Sequence, residues 1–251
     1  MINTHTYYKI AFLGILFLAI TRIASDAAFS IARPIYDNLY YIDLDGSFLY
    51  ITVHHIIQAL CALLLIYLIS LFAAIPLKDF GFTCNELSYA IRTVLKFCLF
   101  WFIFQGSIAL AMRLSGIMIN SFPFPLTIKN FITYFAFQIL LSGTSEELLF
   151  RSLVITPLLV FSTRRGISER KSKIIAGLIA TVIFMLAHIN FTLVPFRVTY
   201  FNLLQQLTCL VFGIFYTFLF LRTRSIIGSM LAHNLLNAVI VLIGLIVKIL
   251  S

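Results

Sequence analysis

The chain has 251 residues, of which 61% are hydrophobic and 11% are charged, and its mean hydropathy is +1.05. Soluble domains are much less apolar and carry about twice this share of charge, so the composition excludes an ordinary water-soluble protein. The net charge is +9, but the basic residues lie between apolar segments and do not form one surface. This pattern predicts membrane orientation and no binding of nucleic acid. The four cysteines have no CxxC or metal-ligand spacing, so we interpret them as packing residues.

Seven apolar segments follow one another along the chain, each able to cross a hydrocarbon core of about 30 Å as a helix. They cover approximately residues 7–24, 48–75, 97–118, 130–161, 174–190, 200–221 and 226–249. The predicted fold class is therefore all-α: a polytopic helical membrane protein with about seven transmembrane helices, between six and eight, around an intramembrane polar cavity. We expect one integral membrane domain over residues 1–251. In it, residues 1–125 supply N-terminal helices and residues 126–251 carry the chemically important motifs.

The links between the segments alternate in charge. Lysine and arginine exceed acidic residues in the links 76–96 and 162–173 and in the turn with Arg222 and Arg224, whereas the link 25–47 is rich in aspartate. The positive-inside rule places the basic links in the cytoplasm, and seven crossings then place the N-terminus there as well. Because the links are short, we expect a multi-pass protein of the bacterial cytoplasmic (inner) membrane.

The fourth segment is unusually long, since its 32 residues would span about 48 Å as a helix. Gly143 weakens a helix at this position, and Thr144 and Glu147 have the spacing of a capping box. Two alternatives follow from this pattern. One is a continuous, tilted helix through Gly143, and the other is a helix that restarts at Thr144 beside a water-filled cavity.

Of the nine acidic residues, only Glu146 and Glu147 lie well inside an apolar segment. An ionisable side chain at that depth costs several kcal/mol unless it is paired or hydrated, which makes both residues candidates for function. Arg151 follows Glu147 by four positions and can pair with it on one helix face. Glu146 is rotated from that face by about 100° and is therefore the freer carboxylate.

Two later segments bring histidines to a similar depth. His188 lies 15 residues after Lys173, about 22 Å along a helix, and Glu147 lies equally far from the basic link at residue 162. His233 and Asn237 share a face of the last segment. A carboxylate, two imidazoles and an amide supply the base, the oxyanion stabiliser and the proton donor that peptide-bond hydrolysis needs. The neighbouring pair His54 and His55 is predicted to lie away from this level, in packing or interfacial roles.

These motifs resemble those of the CPBP intramembrane proteases, which include type II CAAX prenyl endopeptidases and bacteriocin-processing or immunity proteins. The run from Glu146 to Arg151 resembles the family's two glutamates followed by an arginine. Its two later motifs are similar to Phe184 with His188 and to His233 with Asn237. Ser152 is a departure, because many relatives have glycine there, and this affects close helix packing more than chemistry.

The resemblance implies an intramembrane endopeptidase with Glu-activated water. The implied site consists of Glu146 as base, His188 to orient water, His233 and Asn237 to stabilise the oxyanion, and Glu147 and Arg151 to hold the geometry. The implied substrate is a membrane-associated protein or peptide, lipidated or not, that is cleaved near its C-terminus or in its leader. The partners are this substrate and the lipid bilayer, with no nucleic acid.

Several alternatives remain open from the sequence. We expect no cofactor because no HExxH helix is present, but Glu146, His188 and His233 would be the ligands if zinc were used. A non-catalytic membrane scaffold or immunity protein could keep the same fold. A proton-coupled transporter also uses buried Glu, Arg and His, although its usual internal repeats and paired broken helices are not evident in the sequence.

Overall fold

A computed structural model describes residues 4–117 and 122–250. The long helices outside the fourth apolar segment are α1 (Thr4–Leu39), α2 (Leu49–Ala73), α3 (Leu87–Leu114), α7 (Glu169–Ala187), α8 (Leu203–Thr223) and α9 (Ile226–Ile249). The fourth segment contains α4 (Ile128–Phe137), α5 (Gly143–Glu147) and α6 (Leu153–Arg164). Short 3-10 turns cover Tyr40–Ile42 and Leu77–Phe80, and the antiparallel strands β1 (Asn190–Leu193) and β2 (Phe196–Tyr200) form a hairpin.

The structure confirms an all-α polytopic membrane protein. Within residues 4–117 and 122–250, five helices are long and apolar enough to cross a membrane, namely those that begin at Thr4, Leu49, Leu87, Leu203 and Ile226. Two predicted boundaries are wrong by more than two turns: α1 continues to Leu39, and α3 begins at Leu87. The last residue of the predicted segment 97–118 lies outside the described residues. The division of the chain at residue 125 stays a prediction.

The fourth segment is one continuous helical run from Ile128 to Arg164. Two π-helical turns, Gln138–Ser142 and Leu148–Ser152, separate α4, α5 and α6 without interrupting the helix. The Thr144 hydroxyl donates a hydrogen bond to the Leu140 carbonyl at 2.8 Å and caps no new helix. Of the two alternatives, the continuous helix is therefore the one that forms. π-helical turns occur often at functional sites, and here they bracket the two glutamates.

The three basic links meet on one face of the helix bundle, which we call the basic face. Arg222 Nη1 lies 2.6 Å from Glu86 Oε1, and Arg224 Nη2 lies 3.3 Å from Glu169 Oε1. The Thr83 hydroxyl also donates a hydrogen bond to the Arg224 carbonyl at 3.0 Å. These contacts join links that are far apart in sequence. The links 40–48, 122–127 and 188–202 therefore lie at the other helix ends, on what we call the opposite face.

The segment 148–159 lies at the centre of the bundle. Its apolar side chains Leu149, Leu153, Val154, Ile155 and Leu158 are fully buried. Helices α2, α7, α8 and α9 contact the π-helical turn Leu148–Ser152, and α1 packs on α6. The polar residues Glu146 and Glu147 directly precede this packed core in the sequence.

Asp43, in the link between α1 and α2, holds the beginning of α2 through hydrogen bonds of its side chain. Its carboxylate accepts hydrogen bonds from the Ser47 backbone N and hydroxyl and from the backbone N of Phe48 and Leu49, at 2.7 to 2.9 Å. Burial raises the pKa of this carboxyl, but the donors from Leu49, Phe48 and Ser47 together lower it below its ordinary value of 3.8. The ionised side chain thus satisfies the first backbone N–H groups of α2.

We expect Asp43→Asn to lower the free energy of unfolding by about 1–2 kcal/mol at neutral pH, because the amide accepts fewer of these bonds. The pKa of Asp43 is depressed in the folded state, so its stabilisation is complete above about pH 4 and is lost as the pH falls through the folded-state pKa. Thermal unfolding of the detergent-solubilised protein should show wild type and variant converging in acid. A difference that stays constant down to acid pH would contradict this assignment.

Candidate active site

Glu147 and Arg151 form a fully buried ion pair one helical turn apart. Arg151 Nε lies 3.3 Å from Glu147 Oε2, and both side chains are 0% exposed. The Arg151 guanidinium also lies over the rings of Phe184 and Tyr216, at 4.6 and 5.4 Å from their centroids. These contacts stabilise a cation in the core through the negative faces of the two rings.

His233 connects this pair to Glu146. Its Nδ1 lies 2.9 Å from Glu147 Oε1, and its Nε2 lies 3.8 Å from Glu146 Oε2. The ring stacks on Tyr216 with a centroid distance of 4.6 Å. Because a carboxylate only accepts hydrogen bonds, Nδ1 carries a hydrogen and Nε2 is the atom available for chemistry. The Glu146 side chain is 17% exposed, so it is the carboxylate of the two that can meet a substrate.

His188 and His55 are also each held by a contact of ring atom Nδ1 with a protein oxygen. His188 Nδ1 donates to the Phe184 carbonyl at 2.8 Å, just beyond the end of α7. His55 Nδ1 lies 2.5 Å from the Ser145 hydroxyl oxygen, and that hydroxyl donates to the Ser142 carbonyl at 3.3 Å. In all three histidines Nδ1 is therefore fixed by the protein, which leaves Nε2 unengaged by these contacts.

The expectation that His54 and His55 lie away from the site is wrong. His55 is buried and lines the same cavity as Glu146, and His54 stacks on Phe29 with a centroid distance of 3.5 Å. The expectation assumed that the site lies at the middle of each helix. On α2 it lies instead near the beginning of the helix, which starts at Leu49. A pair of adjacent histidines in an apolar segment was the only signal in the sequence for this contribution.

Two cavities meet at Glu146. The main cavity has a volume of about 330 Å³ and is lined by polar groups that include His55, His188, His233 and Asn237. The side cavity, of about 240 Å³, contains the polar side chains of His54, Gln58 and Gln205. The two share four lining residues, Ile51, His55, Glu146 and His188. Glu146 is thus reachable from both.

Asn237 and its neighbour Asn234 hold α9 against α5. Asn237 Nδ2 donates to the Ser142 hydroxyl at 2.9 Å, and Asn237 lines the main cavity. Asn234 was not predicted, yet its Oδ1 accepts from Gly143 N at 2.7 Å and its Nδ2 donates to the Thr144 hydroxyl at 3.2 Å. The six predicted residues therefore lie together in one part of the bundle. His233 connects the buried pair of Glu147 and Arg151 to Glu146, and His188 and Asn237 line the same cavity as Glu146.

Gly143 permits this close approach of two helices. A Cβ at this position would lie 2.7 Å from His233 Cγ and 2.8 Å from Asn234 Oδ1, closer than real Cβ contacts allow.

We expect Gly143→Ala to push α9 outward and to lower cleavage activity by about 10- to 100-fold, because a shift near 1 Å in a catalytic group has effects of this size. Kinetics of the purified variant would check this. Gly106→Ala is a matched control, because a Cβ there has no neighbour within 4 Å. Full activity of the Gly143 variant would contradict the packing argument.

The residues present do not fit a metal ion in this arrangement. Within residues 4–117 and 122–250, no group of three or more His, Cys, Asp or Glu side chains could hold one. The alternative zinc set of Glu146, His188 and His233 is therefore not assembled as a ligand group within these ranges. The expectation that no cofactor is needed stays a prediction, which a chelator added to the purified protein would test.

The fold and these cavities define a polytopic membrane protein with an acid–imidazole centre among its helices. Residues 127–239 match the family described as type II CAAX prenyl endopeptidase Rce1-like, so this part of the chain is similar to a family of membrane proteases. The match confirms the resemblance inferred from the motifs and includes all six predicted site residues. It covers just under half of the chain and excludes α2 with His55. No curated protein and no solved structure shows a significant match.

Proposed function

We propose that this protein is an intramembrane endopeptidase in which Glu146 activates the attacking water. The observation that carries the proposal is the position of Glu146, a partly exposed carboxylate where two cavities meet, with His233 Nε2 at 3.8 Å. The family match supports peptide hydrolysis as the class of reaction. Neither a scaffold nor a transporter is favoured by a specific contact in the described part of the chain.

The proposed reaction needs one proton acceptor and one set of hydrogen-bond donors. Glu146 takes a proton from water while the water oxygen attacks the substrate carbonyl carbon, and His188 Nε2 orients that water. Asn237 and His233 donate to the oxyanion. Asn237 Nδ2 has a second hydrogen for this bond beyond the one given to Ser142. His233 donates to the oxyanion from Nε2 as an imidazolium, which carries a proton on both ring nitrogens.

The tetrahedral intermediate then breaks at the C–N bond. Glu146 returns the proton to the leaving amine nitrogen, so the carboxylate is regenerated and one water is consumed for each bond cleaved. Glu147 and Arg151 act through His233, since Glu147 accepts from His233 Nδ1 and Arg151 holds Glu147. They are positioning residues in this proposal.

The proposed substrate is a membrane-associated protein or peptide, lipidated or not, cleaved near its C-terminus or in its leader. We also propose a bacterial cytoplasmic membrane as the location, with the basic face and the N-terminus in the cytoplasm. The uneven distribution of lysine and arginine between the two faces supports this orientation.

A comparison of protein termini tests the proposed function. Membranes from cells that express wild type, Glu146→Gln or no protein are analysed for new N- and C-termini of membrane-associated polypeptides. We expect a set of termini that depends on Glu146. Identical termini in all three membranes would overturn the proposal and would favour a non-catalytic scaffold.

A further inference from the structure

We propose that the active-site cavities open to the non-cytoplasmic side of the membrane, so that the protein cleaves polypeptide segments presented there. The substrate part of this inference rests on the proposed peptidase function.

The walls of both cavities reach the opposite face. The side cavity is lined by Asn190 and Tyr200 of the β-hairpin, which connects α7 to α8 on that face. Ile51, in the first turn of α2, lines both cavities, and Tyr134, in the second turn of α4, lines the main cavity. All four residues lie at or near helix ends that point away from the basic links.

Packed side chains separate Glu146 from the basic face. On that side of Glu146, the side chains of Glu147, Arg151 and Ser152 are fully buried. The Ser152 hydroxyl donates to the Phe80 carbonyl at 2.6 Å, and Phe80 is itself fully buried. The basic link between α2 and α3 therefore enters the bundle and packs under the site. A polypeptide approaching from the basic face would meet a packed core.

A separate cavity on the basic face gives no alternative route. It is lined by Lys78, Thr83, Thr156, Glu169 and Arg224 among others, and it shares no lining residue with either cavity at Glu146. This separation supports a single direction of access within the described residues.

The charges of the links assign the faces. The links of the basic face carry an excess of lysine and arginine over acidic residues, whereas Asp43 and Asp45 lie in the link between α1 and α2. Cytoplasmic links are enriched in lysine and arginine, so the basic face is the cytoplasmic one and the cavities open away from it. A tail that remains in the cytoplasm could not reach Glu146 by this route.

Thiol labelling with a membrane-impermeant maleimide tests this access without any substrate. The native Cys84 is exposed in the link between α2 and α3 and reports the basic face. Two variants in a Cys84→Ser background report the other positions. Val194→Cys lies at the hairpin turn, where the native side chain is 93% exposed, and Gln138→Cys lies in the wall of the main cavity.

We expect intact cells to label Val194→Cys and Gln138→Cys to the same extent, and to label Cys84 in the wild-type protein only after permeabilisation. Cys84→Ser alone is the blank for the remaining thiols. Labelling of Gln138→Cys only after permeabilisation, or in neither condition, would overturn the proposed access. So would protection of Val194→Cys in intact cells. Tyr134→Cys is a second cavity reporter if Gln138→Cys does not accumulate in the membrane.

The same labelling in a Glu146→Gln background separates the two proposals. Access from the non-cytoplasmic side should persist there, even if no protein termini depend on Glu146. If Glu146-dependent termini are found, we expect their cleavage sites in segments on the non-cytoplasmic side. Cleavage sites confined to cytoplasmic segments would overturn this inference and leave the peptidase function standing.

Discussion

Glu146→Gln is expected to lower the rate constant for peptide cleavage by about 10²- to 10⁴-fold, the usual contribution of a general base. Glutamine has nearly the same shape as glutamate but cannot take a proton from water. The Glu146 side chain is partly exposed and pairs with no arginine or lysine in the described residues, so the change should leave the helices in place. The loss should fall on kcat, with KM little altered, because the group acts in the transition state.

The measurement uses purified protein in detergent micelles and a synthetic peptide that spans a cleavage site found from the protein termini. Glu86→Gln is the matched control. It removes an exposed ion pair with Arg222 on the basic face, a contact worth about 0–1 kcal/mol, and should cleave at the wild-type rate. A Glu146→Gln protein with the wild-type kcat would exclude Glu146 as the base.

The second large effect is expected on stability. Arg151→Met should lower the free energy of unfolding by about 3–5 kcal/mol, because it leaves the fully buried Glu147 carboxylate without its cation. The double variant Glu147→Leu/Arg151→Met removes both charges and should recover most of this loss. Activity should not recover with it, because His233 Nδ1 would have lost its acceptor.

Thermal unfolding in detergent, together with the peptide assay, distinguishes these outcomes. The pair Arg33 and Asp37 on α1 has the same spacing and a distance of 3.1 Å, but its side chains are 65% and 52% exposed. Arg33→Met should therefore change stability by about 1 kcal/mol or less. If the double variant were as unstable as Arg151→Met, the buried pair could not be the cause of the loss.

Several features of the fold could be predicted because the bilayer constrains the chain strongly. Helix length and apolar composition identified the seven helical segments, since backbone groups in lipid must bond within a helix. The pairing of Glu147 with Arg151 followed from their i, i+4 spacing alone. Charge counts grouped the basic links correctly on one face, where Arg222 and Arg224 contact Glu86 and Glu169.

Other features depend on tertiary packing that a linear count cannot include. The depth of His55 was misjudged because residues were counted as if all helices were upright and of equal depth. In the structure α7 ends at Ala187, next to the site, and the link with Phe80 enters the bundle from the other direction. Asn234 was missed because the contact of α9 with Gly143 depends on how the two helices are rotated against each other.

The π-helical turns on each side of α5 affect how this sequence should be compared with others. Each wider turn holds about one residue more than an α-helical turn, so the angular phase of side chains changes by roughly 100° there. A helical wheel drawn with a constant period from Ile128 to Arg164 would assign wrong faces beyond each of them. An alignment of distant relatives should therefore allow a one-residue gap before Gly143 and another after Glu147.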